Sequence, residues 1–406
     1  MKSYFGSVIS FKLLLVGLLL RFALMPFFFH TDIKNHYFHT SFLKKGVTDI
    51  YQYLADNKSG LPAKDDFNYF PLTYFFLGGY QAVSSTFFGS EYDSWLWDYS
   101  ENMINNAKVY RYLFLMKFPY LVLDILTALV LASFFEDKEK RKKAITAWLF
   151  NPFTLVLIYM FATFDIIPVL LSLIALLLAK KGRLVWSALF LGIASGFKLY
   201  PLLFLPLIIF RSKSIKEAIG TVIAPFGFLV LLVAPFWSKA FQVSTLTSGL
   251  TTRMIQGGIP FGFGENIYPA VVGMIIVYLI SLLSKKITLE NLFFTSTLLL
   301  YSLIHYHIQW LLWAAPFAVI VWIKYPKLRF LIFSLSLLAF SVPVLYNDKF
   351  MTFSLFIPIS SLFSLIPTPF AVIQKVFDPF VLQSILHSAL AGGNLVLGWK
   401  LLKEDE

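Results

Sequence analysis

The sequence predicts an all-α bundle of membrane-crossing helices. Three observations carry this: 58% of the 406 residues are hydrophobic, only 14% are charged, and the charges gather in short clusters between long apolar runs. A soluble chain carries about 25% charged residues. A soluble fold of this length could not hide so much apolar surface, so the excess must face lipid. Mean hydropathy of +0.73 agrees. Cys is absent, which excludes disulfides, thiol catalysis and Cys-built metal sites. The net charge of +12 would raise nucleic acid as a partner in a soluble protein. Spread between apolar runs, it reads instead as the positive-inside pattern, with no nucleic-acid partner.

The first element runs from Leu13 to Phe29, flanked by Lys2 and Lys12. It exceeds the ~7–15-residue core of a signal peptide, contains Arg21 and ends on Phe27, Phe28 and Phe29, so it reads as a retained membrane helix. A crossing needs ~20 mostly apolar residues. The candidate spans are 8–29, 69–88, 112–135, 145–164, 165–180, 184–208, 218–236, 267–284, 291–306, 307–323, 330–346, 352–370 and 380–400. Several are short or adjoin without a loop, so the count is about eleven to thirteen. No internal repeat or low-complexity linker divides the chain, and 1–406 reads as a single membrane domain.

Orientation follows from the basic clusters. The run Lys138–Lys143, then Lys180-Lys181-Arg183, Arg211-Lys213-Lys216, Lys285-Lys286, Lys324-Lys327-Arg329 and the terminal Lys400 and Lys403 belong on the cytoplasmic side. Segments 30–68 and 237–266 are then exported loops. One conflict follows. If 69–88 and 112–135 both cross, the basic run at 136–143 lands outside. Either one of them is re-entrant or interfacial, or a span is missed.

Ionisable groups inside a bilayer cost at least ~2.5–3.5 kcal/mol each, so they face a cavity or a partner. Asp32 follows the first span. Beside apolar Phe residues its carboxylate is placed to have a raised pKa and to act as a general base, or to cap the next helix. Asp165 sits where two apolar runs meet, as a site residue, as an N-cap with Pro168 in the first turn, or as both. Lys198, in Gly196-Phe197-Lys198-Leu199-Tyr200-Pro201, lies at a proline-broken helix and suits a phosphate, or snorkels to an interface. Lys117 and Asp124 lie two turns apart on one helical face and pair with other buried charges or serve the site; Arg21 is equally ambiguous. His305 and His307 form a weak metal signal without a nearby carboxylate, so with Gln309 they suit sugar or phosphate hydrogen bonding, and no metal is expected. Arg253 is a cation in a bland exported loop. No nucleotide-binding motif is present, so an activated sugar must come from elsewhere.

The order of these features resembles the membrane-embedded, lipid-phosphate-sugar-dependent glycosyltransferases of the GT-C fold. It is closest to bacterial and archaeal predicted mannosyltransferases related to the GPI-anchor mannosyltransferases. The resemblance covers roughly residues 10–320. It rests on Arg21 through Asp32, on Asn68-Tyr69-Phe70-Pro71-Leu72, and on Lys117-x-Pro with Asp124. It rests also on Asn151-Pro152 through Asp165 with Gly182-Arg183 and Gly196–Pro201, and on His307-Ile308-Gln309-Trp310 with Trp313 and Pro316. Family members often carry an Asp-x-Asp or Glu-x-Asp pair in the first exported loop. Here Lys34 takes the second place, which favours a metal-independent, single-carboxylate site.

The resemblance implies an inverting sugar transfer at the outer face of the plasma (inner) membrane, without a cofactor. The donor would be a polyprenyl-phosphate sugar, mannose first, and the acceptor a lipid or glycan. Asp32 would be the catalytic base. Lys198, Lys117 and Arg253, in that order, would hold the donor phosphate. Asp165, Tyr200, His307 and Gln309 would orient donor or acceptor. Two other readings stand beside it. A transporter or flippase of lipid-linked glycans would need a cavity reaching both faces; a non-catalytic scaffold would leave Asp32, Asp165 and Lys198 without a shared cavity.

Overall fold

The computed structural model describes residues 11–249 and 251–403; Lys2 and the start of the first span lie outside them. Among these residues the fold is all-α apart from one small hairpin. Helices of ten residues or more are numbered here: α1 Phe11–Leu24, α2 Thr31–Ser41, α3 Pro71–Val83, α4 Val109–Ala132, α5 Lys138–Leu149, α6 Ile166–Lys180, α7 Leu184–Ser195, α8 Ile215–Val233, α9 Pro269–Leu283, α10 Leu289–Leu303, α11 Ala315–Lys324, α12 Arg329–Val344 and α13 Pro379–Lys403. The hairpin pairs β1 (Ile259–Gly262) with β2 (Glu265–Ile267).

Four described helical stretches are individually long and apolar enough to cross a bilayer: Val109–Ala132, Ile215–Phe236, Pro326–Val344 and Pro379–Lys403. The bent pair Lys138–Leu149 and Pro152–Met160 makes a fifth. Other apolar runs fold as shorter pieces because the sequence breaks them. Asn151-Pro152 and a π-turn over Val156–Met160 end the α5 run. Gly196 and Pro201 divide the 184–208 run into α7, a 3₁₀ turn and a short helix. The molecule is a polytopic bundle of full-length and broken helices.

Buried charges tie the bundle together. Arg21 on α1 reaches across to Asp124 on α4. Its guanidinium also donates to the carbonyl oxygens of Gly17 (3.0 Å) and Leu149 (2.8 Å). Asp124 accepts further hydrogen bonds from Trp148 Nε1 (2.6 Å) and the Tyr159 hydroxyl (2.7 Å). An ion pair taken out of water survives only when such donors satisfy the remaining lone pairs. Four chain segments meet at this one carboxylate.

Packing sets the course of the chain between the first span and the basic run. Helix α3 has 13 residues, about 20 Å, against a hydrocarbon core of ~30 Å. It does not cross. Its start instead satisfies the broken backbone after α7: Leu72 N donates to Gly196 O (3.1 Å) and Phe70 N to Phe197 O (3.4 Å). Its far end docks on α2, where Gln81 donates to Tyr37 O (3.0 Å) and Thr40 Oγ1 (2.7 Å). Segment 30–108 therefore stays at one end of the bundle, and α4 carries the chain to the other.

That other end collects the basic clusters. Lys180 bonds Glu290 (3.1 Å) and Phe134 O (3.4 Å), and Lys324 lies 3.6 Å from Glu290. Arg211 donates to the carbonyls of Lys285 (2.9 Å) and Ile287 (2.6 Å). Helices α6 and α10 each run between this basic end and the opposite end, where Asp165 and His307 lie.

Candidate functional site

The end opposite the basic clusters holds a cavity of about 540 Å³, within the usual range for small-molecule sites. Asp32, Lys198, Tyr200, Arg253, His307 and Gln309 all line it. They are far apart in the chain, and each arrives through a specific local structure.

Asp32 sits in the first turn of α2. The N-cap is His30, whose Nδ1 accepts the Asp32 backbone N–H (3.2 Å), so the carboxylate is not spent on capping. It accepts a hydrogen bond from Gln309 Nε2 (2.6 Å), and 37% of the side chain is exposed, toward the cavity. Burial would raise its pKa, but His30, His36, the Gln309 amide and His307 together hold it below the ordinary carboxylate value. The expected raised pKa is therefore corrected: the surrounding imidazoles and the Gln309 amide outweigh desolvation, and Asp32 is ionised at neutral pH. Lys34 is turned away from the cavity. Its ammonium lies 4.6 Å from the Trp95 and Tyr99 ring centres and donates to the Asp98 carbonyl, which pins α2 to segment 92–105.

Lys198 emerges from the break between α7 and the Tyr200–Phe204 turn. It is clamped by both oxygens of Asp165 (2.9 and 2.7 Å) and lies over the Phe164 and Tyr69 rings (4.8 and 5.3 Å). Asp165 is fully buried behind it and does not line the cavity. It stands at the N-cap of α6 without making a side-chain cap bond. Instead it accepts from Trp313 Nε1 (2.6 Å) and Thr163. Asp165 thus positions Lys198 and compensates much of its charge.

Arg253 comes from the turn Thr251–Ile255. It donates to His307 Nε2 (2.8 Å) and His305 O (3.0 Å), and its guanidinium carbon lies 5.2 Å from the Trp310 ring centre. Among the described residues it has no carboxylate partner, so its charge faces the cavity uncompensated. His307, fixed as an acceptor for Arg253, leaves the expected His-x-His pair as an anion-side feature; among the described residues no three His, Asp or Glu side chains converge as for a metal.

Tyr200 stacks on Trp313 (3.9 Å, 4°) and Trp313 on Trp310 (4.7 Å, 17°), making a three-ring wall. Beyond it the cavity turns apolar, lined by Leu202, Leu203, Met254, Leu300 and Ile304. The cavity is amphiphilic: carboxylates and imidazoles at one side, a lone arginine beside aromatic rings, then aliphatic walls.

Lys117 is not part of it. The ammonium is fully buried and donates to Met25 O (2.8 Å) and Phe28 O (2.6 Å), closing the carbonyls after α1. Its expected phosphate contact is corrected by this geometry. Sequence reasoning also missed Asn35, His36, His39 and the loop carboxylates Asp65 and Asp66, all of which line the cavity. The signal was present: Asp32, Asn35, His36 and His39 follow helical spacing and mark one polar face of α2.

Two of these histidines give the site a pH dependence. Burial pushes His36 down to about 4 and His39 down to about 3, from an ordinary 6.5. The unfolded chain then binds more protons than the folded one below pH 6.5, so stability falls as pH drops from 6.5 toward 4. His36 alone accounts for on the order of 3 kcal/mol. Thermal unfolding in detergent between pH 7.5 and about 4.5 should show a falling midpoint, and His36→Gln should flatten that slope.

Residues 95–256 match the family described as GPI transamidase subunit PIG-U, a stretch shorter than half the chain. A segment of 103 residues is 27% identical to GPI mannosyltransferase 1 of Candida albicans, covering 24% of this chain and 26% of that protein. The match thus spans about a quarter of that relative's length. The chain is similar to membrane proteins of the GPI-anchor pathway. The matched stretch 95–256 includes Asp165, Lys198 and Arg253 and leaves out Asp32, His307 and Gln309.

Proposed function

We propose that this chain is a glycosyltransferase that moves a sugar, with mannose the first candidate, from a polyprenyl-phosphate donor to a lipid or glycan acceptor. The site would face away from the cytoplasm, because the basic end belongs inside, and the membrane would be the plasma (inner) membrane. The single observation that carries this reading is the amphiphilic cavity joining an ionised carboxylate, an arginine without a counter-ion and an aliphatic groove. A donor of that class needs all three. The cavity lining stops at Leu203 and Leu300 and does not extend to the basic end, which favours transfer over flipping.

In the proposed step the acceptor hydroxyl attacks the anomeric carbon from the face opposite the phosphate. The new oxygen–carbon bond forms as the carbon–oxygen bond to phosphate breaks, so configuration inverts. The hydroxyl proton passes to Asp32, and the bonding electron pair leaves with polyprenyl phosphate. The transition state is oxocarbenium-like, so proton transfer is late and an ordinary carboxylate suffices as base, without a bound metal. Arg253 stabilises the departing phosphate. Lys198, held by Asp165, adds field and shape. His307 orients Arg253, Gln309 orients Asp32, and Tyr200 holds the ring wall.

The test is release of polyprenyl phosphate from polyprenyl-phosphate mannose by the purified protein with candidate acceptors. Arg253→Ala should lower kcat/KM by about 10²–10³-fold, the loss for one oxyanion-type donor. Arg253→Lys should recover part of it. Equal turnover by wild type and Arg253→Ala would remove Arg253 from the phosphate.

A second reading has its own support. The PIG-U match, to a family described as a GPI transamidase subunit, covers Arg253 and Lys198 and favours a subunit that binds a lipid in this cavity without transferring sugar. Such a protein would bind the donor lipid yet release no polyprenyl phosphate.

A further inference from the structure

The hairpin β1–β2 presents an apolar surface that nothing in the fold covers. Every residue of both strands is exposed. Ile259, Phe261 and Ile267 project outward, and Phe263 at the turn is 111% exposed. The turn is also strained. Phe263 adopts φ 49° between Gly262 and Gly264, a left-handed conformation that glycine or asparagine takes readily and a bulky aromatic residue does not. Neither folding nor solubility explains a phenylalanine there. Something outside the chain must reward it.

The occupant is identified by what adjoins the hairpin. Directly after it, α9 exposes Val271, Val272, Ile275, Ile276 and Leu279 as an apolar stripe suited to lipid. On the other side of the loop, α8 exposes Val230 and Leu231, followed by Trp237, a residue type suited to the interface. In chain order the hairpin therefore lies between two helices whose exposed faces are apolar. Glu265, exposed beside the tip, sets a limit on depth, since its carboxylate must stay with the headgroups.

We infer that the β1–β2 hairpin inserts its aromatic tip into the outer leaflet, at the boundary between headgroups and acyl chains. The hairpin follows the Thr251–Ile255 turn, so the insertion anchors the segment bearing Arg253 against the bilayer surface. The inference is independent of whether the cavity transfers a sugar.

The chain has no cysteine, so Phe263→Cys gives a single site for a nitroxide label. The full chain is reconstituted into vesicles of phosphatidylcholine and phosphatidylglycerol, and power saturation compares accessibility to oxygen and to a water-soluble nickel chelate. Leu279→Cys serves as the lipid reference and Ser59→Cys as the aqueous one. The expected oxygen-to-nickel ratio at position 263 lies several-fold above that at 59 and approaches that at 279. A ratio equal to that at 59 would overturn the inference. So would a label closed to both reagents with dipolar broadening, which would mean a second copy covers the hairpin. Phe261→Cys repeats the measurement if the first variant does not fold.

Discussion

Asp32→Asn is expected to lower turnover by about 10²–10⁴-fold, the contribution of a positioned acid or base, with donor binding retained. The amide is isosteric, and its oxygen can still accept the hydrogen bond from Gln309 Nε2 that Asp32 receives at 2.6 Å. Packing in the first turn of α2 should therefore persist. What is lost is the capacity to take a proton from the acceptor hydroxyl. Release of polyprenyl phosphate reads the chemistry, and binding of radiolabelled polyprenyl phosphate reads the site. Transfer lost with binding kept supports the base role. Equal release by wild type and Asp32→Asn assigns the proton elsewhere. Absence of release by both, with binding intact, favours the non-transferring subunit.

Asp124→Asn should cost about 3–5 kcal/mol of stability, the penalty for stranding one charge of a buried pair. Arg21 and Asp124 are both fully buried, and Asp124 also gathers Trp148 and Tyr159. The amide keeps the shape and part of the hydrogen bonding but leaves the guanidinium without a counter-charge. A large fall in the unfolding midpoint, or loss of the monodisperse peak in detergent, is the expected outcome. Replacing both residues by leucine should recover part of the loss, because two apolar groups leave no orphaned charge. A single variant as stable as wild type would show that the network does not hold the bundle.

Isolated ionisable groups made much of the candidate site legible: Lys198 stands out inside an apolar run, Asp32 directly after the first span, and Arg253 as a cation in an otherwise bland loop. The sequence shows that such a charge needs a partner, but not which one. Lys117 found two backbone carbonyls left open after α1, a debt invisible in side-chain chemistry. Lys198 found Asp165, which left Arg253 as the cation facing the cavity. The course of 69–88 was hidden for a different reason. Its hydropathy is that of a span, yet Pro71 starts the helix and Ser84 ends it after 13 residues, and its two ends pack on the Gly196 break and on α2. The polar face of α2 was readable by spacing, but His36 and His39 flank the aromatic pair Tyr37-Phe38 and resemble core histidines.

The central claim is that one cavity holds a prenyl phosphate by Arg253 while presenting Asp32 to an acceptor. Electron cryo-microscopy of the protein in nanodiscs with added polyprenyl phosphate addresses it most directly. The expected map places the phosphate within hydrogen-bond distance of the Arg253 guanidinium, with the prenyl chain along Leu202, Leu203, Leu300 and Ile304. A lipid phosphate bound only at the basic end, with this cavity filled by solvent alone, would contradict it.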